Sequence, residues 1–231
     1  MDLKIEVARR QLGVATDMFI RDSEPVSIQS LASSAGEILD HFARKTGRAF
    51  SNAFLDISPD YDLAKLRRVQ RVYWNAFKHP TRKQGKEEVE RDDEELIAEF
   101  DDGENAAVLF TAWMDYSVTT GAMPIEAQVF QAWYYALDPE GRHEMREPGT
   151  DKDLFPRVRD RAPSRRKTML RRRIEWARGL KDVMKSPATE RRPLILPWPP
   201  TILTDPRRIQ TAGARRALVS DACAQPIAGI E

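Results

Sequence analysis

Apolar residues recur along this chain at three- and four-residue spacing, the period of helices that bury one face. Leu3, Val7, Leu12, Ala15 and Phe19 mark a first helix over about residues 3–20, with Arg9, Arg10 and Asp17 set elsewhere on it. Asp22-Ser23-Glu24-Pro25 breaks that pattern. Ser27 can then cap a second helix over about 27–46, whose core face is Leu31, Ala35, Ile38, Leu39 and Phe42. Its first half is rich in small residues, from Ser30 to Gly36, so it can pair closely with the first helix as a hairpin.

A connection over about 47–59 leads to a third helix, about 60–79, capped by Ser58 or Asp60 and stopped by Pro80. The polar stretch over about 80–95 predicts a solvated loop. Helix four covers about 93–118, with an interruption near Asp101-Asp102-Gly103, and helix five about 124–137. No strand pattern of useful length and no internal repeat occur. The expected class is therefore all-α: a bundle of about five helices over residues 1–140.

Composition then shifts. Residues 141–163 are charged and Pro-containing and predict a linker. Residues 164–186 form a basic amphipathic helix with Met169, Ile174, Trp176, Ala177, Leu180 and Met184 as its apolar surface. Residues 187–231 hold PLILPWPP and predict an extended Pro-rich tail. Charge follows the same division. Residues 1–150 contain 18 Lys+Arg and 27 Asp+Glu, and residues 151–231 contain 19 and 9. The near-zero net charge of +1 thus hides an acidic body beside a basic arm. Such an arm can meet nucleic acid or dock on the acidic surface of its own or a partner subunit.

At 231 residues and 41% hydrophobic content the chain can bury one good core. No apolar run is long enough for a bilayer, and the N-terminus carries charges throughout, so the expected location is the cytoplasm. A single cysteine, Cys223, excludes a disulfide framework. The acidic cluster over 87–102 has no His or Cys at ligand spacing, so no metal and no cofactor are expected. Asp115 sits in an apolar helix and needs a partner, for which a cation from helix three is the natural candidate.

The densest chemistry lies in the run from Arg71 to His79. Arg71, Asn75 and His79 are spaced by four and share one helix face. A neutral His can act as a general base, an Arg can hold a phosphate, and an Asn can orient either. That set suits metal-independent RNA cleavage, which needs a base for the 2′-hydroxyl and a cation for the phosphorane. The structural alternative is that His79 closes the helix and Asn75 bonds within the bundle. Lys78, Arg165, Arg166, Arg171, Arg172 and Arg173 are the candidate nucleic-acid contacts.

The segment WNAFKH resembles the signature of HEPN-domain proteins, an Arg followed after four to six residues by a His. Here Trp74 stands where that family has Arg, and Arg71 lies one turn earlier. The stretches QLGVATDMFIRDSEPVSIQSLASSAGEIL and MDYSVTTGAMP…FQAW are similar to those of a bacterial HEPN-like group, so the resemblance spans about residues 3–137. It implies a HEPN-like bundle that forms a homodimer through its helices. It also implies RNA as substrate or ligand, and a toxin or defence ribonuclease with an antitoxin or nucleotidyltransferase-like partner. The other implied role is a non-catalytic interaction module; the resemblance leaves the basic segment unexplained, and its charge alone suggests that it binds nucleic acid or an acidic partner.

Overall fold

The computed structural model describes residues 2–52, 71–137 and 154–197. Helices dominate them, in keeping with the all-α class. Helix α1, Leu3–Ile20, is capped by Asp2, whose carboxylate accepts from the Lys4 N–H at 2.8 Å. Helix α2, Pro25–Lys45, runs back along it, placing Gln11 beside Ser34. The cap of α2 is Glu24 rather than Ser27: its carboxylate accepts from the Val26 and Ser27 N–H groups, and Pro25 opens the first turn. Proline suits that place because its missing N–H would have had no helical partner.

A short helix, α3 (Val72–Lys78), stops just before Pro80, with His79 as its C-terminal cap. The rest of expected helix three, with its caps, lies outside the described residues. The region expected as a loop instead forms an antiparallel hairpin, β1 (Thr81–Gln84) with β2 (Glu87–Glu90). Gly85 opens its two-residue turn at φ +66°, a conformation that costs glycine no steric strain. The charged sequence concealed this hairpin because both of its faces are largely solvated, leaving no alternation to detect.

The expected fourth helix is two: α4, Glu94–Ala98, and α5, Asp102–Thr120. The division falls at the anticipated interruption, where Asp101 caps α5 by accepting from Gly103 N–H. Helix α5 lies along α2, with Asn105 donating to Pro25 O and Gly36 set against Ala112. The small residues of α2 therefore admit α5 closely as well as α1. A two-residue strand β3 (Met123–Pro124) leads into α6, Ile125–Leu137.

The basic segment is built into this bundle. Helix α7 spans Pro163–Arg178, shorter than the sequence predicted, and a separate short helix, α8 (Lys181–Lys185), follows. Leu170, Ile174 and Ala177 of α7 belong to the same buried core as α1, α5 and α6. So do Phe155 and Val158, within the stretch expected as linker. Trp133 Nε1 donates to Arg166 O at 3.2 Å, tying α6 to α7. Strand β4, Thr189–Glu190, then pairs in parallel with β3. One compact unit runs from Met1 to Ile195.

Helix α1 departs from its expected amphipathic pattern. Leu3 and Val7 are exposed, while Arg9 is fully buried, at 0% exposure. The Arg9 guanidinium is held from every side. Nε donates to Glu190 Oε2 at 3.1 Å, Nη1 to Leu194 O at 2.9 Å and Nη2 to Pro193 O at 3.1 Å. Its carbon lies 5.3 Å from the Trp113 ring and 6.0 Å from Tyr116. Residues 189–194 thus form a strap fastened across α1 and α5. Gly13 makes room for it, since any Cβ there would run into the Leu194 carbonyl.

Replacing Arg9 by Met should destabilise the protein by about 3–5 kcal/mol, the usual loss when one member of a buried ion pair is removed. Chemical denaturation measures it. A loss below about 1 kcal/mol, the scale of a surface ion pair, would show that Arg9 does not hold the strap.

Candidate functional site

Arg71, Asn75 and His79 stand one above another. The Asn75 N–H donates to Arg71 O at 2.8 Å, and the His79 N–H to Asn75 O at 3.0 Å. The backbone therefore places the three in a column one helical turn apart, although Arg71 and His79 are the two caps of α3 rather than helical residues. His79 is exposed and extended, at φ −119° and ψ 113°. Arg71 pairs with Glu37 of α2 at 3.2 Å. Beside the column, the Lys78 ammonium lies 4.8 Å over the half-buried Trp74 ring. Tyr73 and Phe77 each place their rings 5.0 Å from Phe100, which fixes α3 to the turn before α5.

The five arginines expected at nucleic acid divide into two groups. Arg166 donates to the carbonyls of Arg159 and Arg161, closing the turn before α7. Arg171 donates to Ile20 O at 2.6 Å and to Asp22, whose φ is +55°, so it clasps the turn between α1 and α2. Lys167 joins that clasp. It is 6% exposed, bonds Asp22 at 3.0 Å, pairs with Asp102 and sits 4.0 Å over the Phe19 ring. Arg178 bonds Glu126 at 2.8 Å. These cations hold the bundle together.

Arg165, Arg172 and Arg173 have no ion pair among the described residues. Arg165 and Arg172 are exposed. Arg173 lies 5.5 Å over Trp176, which is 48% exposed. Trp176, expected on the apolar surface, is therefore on the opposite side. The spacing carried the signal: 165, 172 and 176 share a helical stripe that 170, 174 and 177 do not. The described residues 154–197 as a whole hold 14 Lys+Arg and 4 Asp+Glu.

Asp115 is 2% exposed, and its carboxylate accepts from the Phe50 N–H at 2.7 Å. A backbone donor in the connection after α2 thus takes the place of the expected helix-three cation. Burial pushes the Asp115 carboxyl up, the Phe50 bond and Arg44 oppose this, and nearby Asp40 adds to it, for a net value of about 7. Asp40 in turn pairs with Arg44 and accepts from Ser51.

Among the described residues no group of three or more His, Cys, Asp or Glu could hold a metal ion, and no helix is long and apolar enough to cross a membrane. No family model, no curated protein and no solved structure matches the chain.

The folded state holds its Asp115 proton up to about pH 7, whereas an unfolded chain releases it near the ordinary carboxylate value. The native state thus binds more protons between those values, and stability must fall as pH rises through them. Relative to Asp115→Asn, which keeps the bond to Phe50, wild type should lose on the order of 2–3 kcal/mol between about pH 5 and pH 8. Thermal melts at both pH values check this, and parallel profiles would contradict it.

Proposed function

We propose that this is an RNA-associated helical-bundle protein whose contact surface is the exposed face of α7. One observation carries the reading. The basic segment pairs Lys167, Arg171, Arg178 and Arg192 with the acidic body but leaves Arg165 and Arg172 exposed, with the half-buried Arg173 beside an exposed Trp176. Unpaired cations beside an aromatic ring suit a polyphosphate strand.

A second reading makes the protein a HEPN-like, metal-independent ribonuclease, in a homodimer that supplies two copies of the site. The backbone-bonded column of Arg71, Asn75 and His79 favours it. In that reading His79 takes the 2′-hydroxyl proton, Arg71 stabilises the phosphorane and Asn75 orients them. Lys78 adds a cation at the edge, and Trp74 occupies the motif position of the family's arginine. A toxin or defence setting, with an antitoxin or nucleotidyltransferase-like partner, belongs to this reading alone.

Changing Arg165 and Arg172 together to Glu should weaken RNA binding at least tenfold and lower the slope of log affinity against log salt by about 2. Fluorescence anisotropy across a salt series measures both. An unchanged affinity would remove the α7 surface. Cleavage of RNA in EDTA, lost in His79→Ala and Arg71→Ala, would support the ribonuclease reading. A wild type that cleaves no RNA while binding it would leave a non-catalytic module.

A further inference from the structure

Buried tryptophans in this fold have their indole N–H satisfied. Trp113 Nε1 donates to Thr16 Oγ1 at 2.9 Å, and Trp133 Nε1 to the Arg166 carbonyl. Trp176 is treated differently. Its ring stands in solvent, polarised by Arg173 and flanked along the helix by Arg172 and Arg165. Arg165 to Trp176 is eleven residues, or about 16 Å of helix at 1.5 Å per residue. That is the span of a few nucleotides.

A duplex hides its base faces in the stack and presents only edges and phosphates, so an exposed indole would find no ring to cover. An unpaired strand offers a base face beside each phosphate, and stacking on an aromatic side chain is the general device by which such strands are held. Resting on the RNA-associated reading above, we infer that this face takes single-stranded nucleic acid. Trp176 stacks one unpaired base, and Arg165 and Arg172 hold phosphates on the same strand. Arg173 keeps the indole in place from one side, leaving the other to the base.

The full-length protein would be titrated against a labelled oligouridine and against a duplex RNA of equal length, both by anisotropy. Wild type should prefer the single strand. Trp176→Ala should lose about five- to a hundred-fold in affinity for it, with duplex binding little changed, while Trp176→Phe retains most of it. Trp176 is solvent-exposed, so circular dichroism should show both variants folded. Single-strand binding that survives Trp176→Ala but falls in the Arg165→Glu/Arg172→Glu variant would overturn the stacking role and leave the RNA-associated reading standing. A wild-type preference for duplex would overturn the single-strand assignment in the same way. Binding to neither RNA, or binding that neither variant alters, would overturn both.

Discussion

A fully buried arginine is a liability unless its charge is met, and the architecture around Arg9 brings an acceptor to each of its three nitrogens. Its fork needs acceptors in several directions. Helix α1 alone cannot provide them, so two carbonyls and a carboxylate arrive from residues 190–194, far away in sequence. Tyr116 completes the arrangement. Its hydroxyl donates to Glu190 at 2.8 Å and accepts from Arg192 at 3.2 Å, and burial with the Glu190 charge raises its pKa to about 12. Arg192 then reaches Glu6 at 2.7 Å. Burial pulls the Arg192 guanidinium down, but Glu6 and Glu190 more than offset it, so it stays charged. The network joins α1, α5 and the strap, and it makes residues 189–194 part of the fold.

The same logic accounts for the charge division along the chain. The acidic body and the basic segment are partners within one unit: Asp22, Asp102, Glu6 and Glu126 meet Lys167, Arg171, Arg192 and Arg178. Exposed pairs of this kind contribute little, but Lys167 is nearly buried over Phe19, where an unpaired ammonium would be costly. Internal pairing changes how a surplus of positive charge should be interpreted. What matters for an external ligand is the charge left over, which includes the exposed Arg165 and Arg172 on one side of α7.

Helical class, the position of Pro80 and the interruption before α5 were legible because each depends on local chemistry: apolar period, a missing N–H, an Asp cap. The hairpin at Thr81–Glu90 was not, because its strands are solvated and short. The burial of Arg9 and exposure of Leu3 and Val7 were hidden for a deeper reason. They follow from where residues 189–194 lie, a contact about 180 residues away in sequence that no window on α1 records. Asp115 shows the intermediate case. Its position inside an apolar helix announced a buried carboxyl, but a backbone N–H as partner leaves no trace in side-chain spacing. The column at 71, 75 and 79 was visible as spacing, and the backbone keeps it in register.

The ion pair between Arg71 and Glu37 bears on the ribonuclease reading more than it first suggests. Both side chains are more than a third exposed, so the pair is held by roughly 0–1 kcal/mol. A guanidinium makes charge-assisted bonds to a carboxylate and to a phosphate alike, so a phosphate has only this weak exposed pair to displace. Glu37 is thus a weak competitor, and it can keep Arg71 oriented without withholding it. Trp74 cannot supply the charge of an arginine, but the Lys78 ammonium over its ring places a cation on that side of α3. Under the ribonuclease reading, then, the missing motif arginine removes one position of positive charge, while Arg71 and Lys78 retain cations one turn before and one turn after it.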